Sequence, residues 1–181
     1  IPVEGWQRAG VFTLGAAQIA LKSQGAALGA KIVLAGSGPL LTLVAHQLIA
    51  AGAGVAAVLD TAPMRGQIAG GMHMALARPL VTARGLRMRA ALGRIYHAGV
   101  TLDRIADDAV HWSVGGQAHV TGCDAVALGW HLRAETQLAD LAGAAFAWSP
   151  VWQQWLPETD AMGRAADGVY LAGDSVRILG A

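Results

Sequence analysis

A short apolar run that ends in a glycine turn constrains the fold of this chain more than any other stretch. Residues 32–35 are uninterruptedly apolar, which is typical of a buried parallel strand, and the turn Gly-Ser-Gly-Pro occupies residues 36–39. Apolar side chains then recur at helical spacing over residues 40–49, and proline suits the first helical position because no N–H is needed there. The order strand, turn, helix predicts a helix N-terminus that attracts an anion.

A second apolar run begins at Val55 and ends in a carboxylate, Asp60. An acid at this place in a dinucleotide-binding βαβ unit accepts a ribose 2′-OH and repels a 2′-phosphate, which favours NAD(H) over NADP(H), although the nearby Arg65 softens that preference. Leu41 replaces the third glycine of the G-x-G-x-x-G motif, so a turn that needs glycine for geometry alone stays an alternative. The candidate pyrophosphate-binding residues are Gly36, Ser37, Gly38, Pro39 and Leu40.

Length and charge limit the classes of protein to consider. The chain has 181 residues and a net charge of +1, so we expect one domain, or one domain with attached pieces. Near-neutral charge argues against nucleic acid as a partner, because phosphate binding needs a basic patch. Four arginines at helical spacing are interpreted as a solvated helix face; they are Arg84, Arg87, Arg89 and Arg94.

The cysteine content and the sequence near the chain ends indicate which cellular location to expect. The single cysteine, Cys123, excludes an internal disulfide, and we expect it to pack as a small core residue in a cytoplasmic protein. The sequence shows neither the charged n-region nor the cleavage pattern of a signal peptide, so none is expected in it. The uncharged run 38–59 is interrupted by Gly52 and Gly54, so we reject a membrane helix. Both ends look cut, and we expect a fragment of a longer protein.

The remaining chain alternates between helical and extended patterns. Gly115-Gly116 is a strong hairpin signal between alternating runs, and this predicts an antiparallel meander before a further parallel strand at 124–128. Met72 and Met74 are interpreted as gap-filling core residues, with the lining of a ligand pocket as the alternative. The other predicted elements are a strand at 11–14, a helix at 16–23, turns at 61–71, helices within 72–97 with a break at Pro79, a helix at 135–142 and a strand within 168–172.

Three tryptophans between residues 146 and 156 leave two interpretations open, stacking on a flavin or base, or an edge hairpin that packs on the core; they are Trp148, Trp152 and Trp155. No catalytic constellation is visible, and none of the six histidines has the spacing of metal ligands. The chemistry that the sequence does indicate is binding of a pyrophosphate and a ribose.

Several different motifs follow one another along the chain in an order that is diagnostic of a protein family. They are the lead-in with Pro2 and Gly5, the glycine turn with Asp60, the meander, Cys123-Asp-Ala-Val-Ala-Leu-Gly129, and Gly168-Val-Tyr-Leu-Ala-Gly-Asp174. This order resembles the two-dinucleotide-binding-domain flavoproteins of the pyridine nucleotide-disulfide oxidoreductase superfamily. Residues 10–18, the glycine turn and residues 127–138 are similar to a narrower group, the FAD-containing larger subunits of the opine oxidase, hydrogen cyanide synthase and dye-linked proline dehydrogenase type.

The resemblance implies an α/β fold, with a Rossmann-like parallel sheet flanked by helices and an antiparallel β-meander. It implies an FAD domain interrupted by an NAD(P)-binding domain at residues 29–148. Residues 1–28 would lead in from the FAD domain, and residues 151–181 would return to it. The resemblance assigns Gly129 to cofactor binding, and it assigns Gly173 and Asp174 to the FAD ribityl chain.

Three hypotheses about function follow. In the first, the chain is the NAD(H)-binding part of an FAD-dependent oxidoreductase for an amine or amino acid, and its partners are the rest of the FAD domain and a second subunit. In the second, the nucleotide site is vestigial and the domain docks a partner. Leu41 and the tryptophan-rich passage from Trp148 to Trp155 favour this second hypothesis. The departures from the family pattern at Leu41, Trp130-His131 and Ala134 argue against a working NAD(P) site. The third, a Rossmann-type methyltransferase, is disfavoured by the meander and the Gly-Asp loop.

Two motifs of the superfamily are missing from the chain. The first flavin glycine motif is absent, so the chain alone is not expected to hold FAD. The redox cysteine pair is absent as well, so a disulfide substrate is not expected.

Overall fold

The computed structural model describes residues 2–178, and the chain forms two compact units that divide after His131. The first unit contains, in chain order, β1 (Val11–Thr13), α1 (Leu14–Gln24), β2 (Ile32–Gly36), α2 (Pro39–Ala50), β3 (Val55–Asp60), α3 (Met64–Ala77), α4 (Pro79–Leu92), β4 (Tyr96–Ala98), β5 (Thr101–Ile105), β6 (Ala109–Val114), β7 (Gln117–Gly122) and β8 (Ala125–Gly129).

A five-stranded parallel sheet forms the centre of the first unit, in the order β1-β8-β2-β3-β4. The segment before residue 29, predicted to lead in from another domain, contributes β1 and α1 here, because β1 pairs with β8. An antiparallel sheet, β5-β6-β7, is the predicted meander, and its hairpin turn uses Gly115 and Gly116 with positive φ. The predicted α/β fold class is therefore confirmed.

The central strand β2 is buried on both faces, which explains its uninterrupted apolar sequence. Ile32 and Leu34 pack in a cluster with α1, α2 and α4, and Leu41 is fully buried in that cluster. Val33 and Ala35 pack in a second cluster with the meander residues Val110 and Trp112, and the buried Cys123 is in that cluster as predicted. The sheet is thus covered by helices on one face and by the meander on the other.

The passage between β3 and β5 differs from its predicted structure. The predicted turns at 61–71 are wrong beyond Pro63, since α3 begins at Met64 and tolerates its glycines in open surroundings. The core interpretation of the two methionines is also wrong, because α3 buries no residue and Met72 and Met74 are exposed. Finally, Tyr96–Ala98 is not helical but forms the edge strand β4.

The second unit contains small antiparallel pairs. Trp148 and Trp155 are cross-strand neighbours whose rings meet edge to face, with centroids 5.9 Å apart, so the tryptophan-rich segment is a hairpin. The elements are α5 (Gln137–Leu141), β9 (Phe146–Ser149), β10 (Gln154–Pro157), β11 (Arg164–Ala166) and β12 (Val169–Tyr170). None of the helices within residues 2–178 has the length and apolar character needed to span a membrane.

Gly36 gives a direct test of this packing. We expect Gly36→Ala to lower the free energy of unfolding by more than about 3 kcal/mol, because φ is 146° and the new Cβ would lie 1.7 Å from the Gly129 carbonyl oxygen. Urea denaturation followed by circular dichroism measures this loss. The matched control, Gly70→Ala in α3, has no atom within 4 Å of the new Cβ and should gain up to about 1 kcal/mol. Equal midpoints for the two variants would contradict the assigned packing.

Candidate functional site

The glycine turn lies at the point where the strand order reverses. The chain leaves β2 for its neighbour β3 and later returns to β8 on the opposite side of β2. In open α/β sheets a ligand crevice forms outside the carboxyl ends of the strands at such a point. The candidate site therefore lies where β2, β3 and β8 end, at the register row that joins Gly36 to Asp60 and to Gly129.

The first turn glycine and Gly129 are explained by close packing. A Cβ on Gly36 would collide with the Gly129 carbonyl, and a Cβ on Gly129 would lie 2.7 Å from the Cβ of Leu14. These contacts bring β2, β8 and α1 together without a ligand. The structure thus supplies a geometric role for both glycines, which is the alternative that the sequence left open for the turn.

Ser37 directs its donors into the loop after β8. Its backbone N–H donates to the Gly129 carbonyl at 2.9 Å, and its hydroxyl donates to the Trp130 carbonyl at 2.9 Å. This residue ties the turn to the neighbouring strand end, so its two donors are engaged within the protein.

The start of α2 is the open part of the turn. Gly38 is the N-cap residue, with φ of 96°, and Pro39 occupies the first helical position. No side chain caps this helix, and its first turn contains no acid. The nearest atom to a Cβ placed on Gly38 would be the Trp130 carbonyl oxygen, at 3.8 Å. Uncapped N–H groups beside an open glycine are suited to an anion such as a pyrophosphate.

Asp60, the predicted ribose ligand, is almost completely buried, with 5% of its surface exposed. One carboxylate oxygen accepts a hydrogen bond from the Ala62 backbone N–H at 2.8 Å, and the other accepts one from the Tyr96 hydroxyl. A buried carboxylate needs such donors, because an unpaired buried charge is strongly destabilising. The residue is therefore satisfied within the protein at both oxygens.

Tyr96 belongs to a polar network that the sequence did not reveal. Gln67 accepts a hydrogen bond from Arg89 at 2.5 Å and lies 3.4 Å from the Tyr96 hydroxyl. The Arg89 guanidinium also lies over the Tyr96 ring, 4.4 Å from its centroid. Arg89 is thus half-buried rather than part of a solvated face. Together these contacts attach α3 and α4 to the end of β3 beside Asp60.

Trp130 crosses the end of the central strand. It follows β8, and its indole N–H donates to the Thr61 hydroxyl at 3.2 Å, just beyond β3. Thr61 in turn donates through its backbone N–H and its hydroxyl to the Gly36 carbonyl, at 2.7 and 3.0 Å. These hydrogen bonds hold the Trp130 and Thr61 side chains across the strand ends.

The predicted flavin residues lie in the second unit. Gly173–Ser175 form a short 3₁₀ turn, in which Gly173 has φ of 63° and the Asp174 side chain is exposed. The Asp174 carbonyl accepts a hydrogen bond from the Glu135 N–H at 2.9 Å. Across residues 2–178 there is no group of three metal-ligating side chains.

Comparison with known proteins places this geometry in context. The chain is 36% identical over 190 residues to an opine oxidase subunit of Agrobacterium tumefaciens (strain Ach5), covering 100% of this chain and 38% of that protein. It is 40% identical over 92 residues to the hydrogen cyanide synthase subunit HcnB of Pseudomonas protegens, covering 51% of this chain and 19% of that one. No protein-family model matches the chain.

The fold is shared with a solved oxidoreductase. The L-proline dehydrogenase structure from P. horikoshii superposes with a TM-score of 0.62 and 16% identity, covering 97% of this chain and 27% of that one. The glycine turn, the parallel sheet and the meander thus form a fold that this chain shares with the L-proline dehydrogenase. All of this chain is similar to part of the opine oxidase subunit, which confirms the resemblance predicted from the motifs. The chain spans well under half the length of that relative.

The environment of Tyr96 leads to a titration experiment. Burial, and then the hydrogen bond and charge of Asp60, raise the pKa of the Tyr96 hydroxyl well above its usual range. The stabilisation from neutral Tyr96 is therefore fully present below about pH 10 and is lost as the pH rises through the folded-state pKa. The ultraviolet absorbance of the wild type minus that of Tyr96→Phe isolates the signal of Tyr96. This difference should show no phenolate at about pH 10, where an unperturbed tyrosine ionises. Ionisation of Tyr96 near pH 10 in folded protein would contradict the network.

Proposed function

We propose that this chain is the nucleotide-binding part of an FAD-dependent oxidoreductase that acts on an amine or an amino acid. Its full-length similarity to the opine oxidase subunit and its fold in common with a proline dehydrogenase support this proposal. The relatives are named as subunits, so we propose that a companion subunit completes the enzyme.

Within that enzyme the turn at residues 36–40 binds the pyrophosphate of NAD(H). The uncapped N-terminus of α2 beside Gly38, at the reversal point of the sheet, is the observation that carries this proposal. The backbone N–H groups of Gly38 and Leu40 would face the anion, and Pro39 has no N–H to leave unsatisfied. When bound, the nicotinamide supplies hydride chemistry, whereas the protein orients it.

Asp60 fits a ribose only in part. A carboxylate has about four lone-pair sites, and two of the sites on Asp60 already accept from Ala62 and Tyr96. A ribose hydroxyl must therefore share the carboxylate with the Tyr96 hydroxyl or displace it. A 2′-phosphate would face the buried negative charge, which favours NAD(H) over NADP(H).

FAD binding is proposed for the second unit together with segments outside this chain. The exposed Asp174 carboxylate would accept a hydrogen bond from a ribityl hydroxyl. The division into an NAD(P)-binding domain at 29–148 and FAD-domain segments at 1–28 and 151–181 stays a prediction.

A second candidate function is a docking domain whose nucleotide site is closed. Three observations favour it, namely the engaged donors of Ser37, the satisfied carboxylate of Asp60 and the Trp130 side chain across the strand ends. Under this candidate the polar groups at the reversal point hold the fold together, and the domain holds a partner rather than a cofactor.

Calorimetric titration with NADH and then NADPH separates the two functions. We expect saturable binding that is tighter for NADH and at least about tenfold weaker in Asp60→Asn, because the neutral amide loses the charge-assisted hydrogen bond. The control Asp140→Asn removes an exposed carboxylate in the second unit and should leave affinity unchanged. Absence of heat with either nucleotide, from protein with a normal thermal unfolding transition, would overturn NAD(H) binding and favour the docking domain.

A further inference from the structure

A groove of about 490 Å³ lies between α2 and α4. Half-buried Leu43 and Met88 contribute apolar surface to it, and the exposed side chains of His46, Arg84 and Arg87 lie beside them. This groove lies between helices and belongs to neither the glycine turn nor the Asp60 network.

The two arginines are available to a ligand. Among residues 2–178, neither Arg84 nor Arg87 has an ion pair or hydrogen-bond partner, whereas Arg89 on the same helix is held by Gln67 and Tyr96. They are three residues apart, so they lie on neighbouring turns of one helix face. Unpartnered guanidinium groups beside a groove can form bidentate hydrogen bonds to carboxylates.

The charge of the surrounding sequence is one-sided. Residues 61–102 contain six arginines and no acidic residue, and α2 contains no charged residue at all. An arriving carboxylate would therefore meet no like charge on the helices that form the groove. Charge complementarity of this kind steers an acidic partner and fixes its orientation.

We propose that this groove binds an acidic amphipathic helix of a companion protein subunit. Leu43 and Met88 would receive its apolar side chains, since methionine adapts to irregular apolar partners, and Arg84 and Arg87 would pair with its carboxylates. The span from Arg84 to Met88 and Ala91 is about two helical turns, which matches the contact length of a helix laid in a groove. The identity of the occupant as a companion subunit rests on the proposed function.

Fluorescence anisotropy of the full 181-residue chain tests the groove. The probe is a fluorescein-labelled peptide of about four helical turns, with leucine on one helical face and glutamate on the other. We expect binding that weakens with added salt and that falls at least about fivefold in the double variant Arg84→Gln/Arg87→Gln. The double variant Arg65→Gln/Arg94→Gln is the matched control, because it also removes two exposed positive charges but lies outside the groove. Met88→Gln tests the apolar contact.

The outcomes are distinct. Retained affinity in the double variant, equal affinity for the same peptide with lysine in place of glutamate, or no binding at all would overturn the groove as an acidic-helix site. Binding to phosphatidylglycerol vesicles in preference to the peptide would also overturn it. NADH affinity of the groove variants Arg84→Gln/Arg87→Gln and Met88→Gln should be unchanged. Peptide binding without NADH binding would contradict the proposed nucleotide site and would still support the groove as a binding site for an acidic helix.

Discussion

The close approach of β2 to β8 at Gly36 and Gly129 is the contact on which the rest of the site depends. It requires two residues without side chains, and it places the end of β2 between Asp60 on one side and Trp130 on the other. Because the strand order reverses here, the same contact creates the start of α2 as an exposed helix N-terminus. Gly36 and Gly129 resemble residues of a ligand-binding motif, but the packing of β2 against β8 requires glycine at both positions whether or not a ligand binds.

The burial of Asp60 links the candidate site to the helix α3. The carboxylate obtains its donors from Ala62 and Tyr96, and the Tyr96 hydroxyl is oriented by a network that reaches Gln67 and Arg89. Such a network orders α3, which buries no residue of its own and contains three glycines. The acid that would recognise a ribose therefore also holds a weakly packed helix in place, and any ligand at Asp60 is coupled to the position of α3.

Much of the fold could be predicted from the sequence, because β2, β3 and β8 are short apolar runs with clear boundaries and Gly115-Gly116 specifies a hairpin. The region between β3 and β5 could not be. In α3, Gly66, Gly70 and Gly71 suggest turns, and the helix is exposed, so no buried face imposes a clear period. The role of Tyr96 could not be predicted because its strand, β4, is only three residues long, which is too short to show an alternating pattern. Its pairing with Asp60 is a long-range contact that spacing cannot predict.

Nucleotide binding at the open start of α2 is tested most directly by nuclear magnetic resonance. The backbone amide signals of ¹⁵N-labelled protein are followed while NADH is added. We predict saturable shifts of the Gly38 and Leu40 amides, accompanied by the Ala62 amide, whose hydrogen bond to Asp60 must adjust to the ribose. Saturable shifts confined to other surfaces, or no shifts in protein that remains folded, would contradict nucleotide binding at this helix.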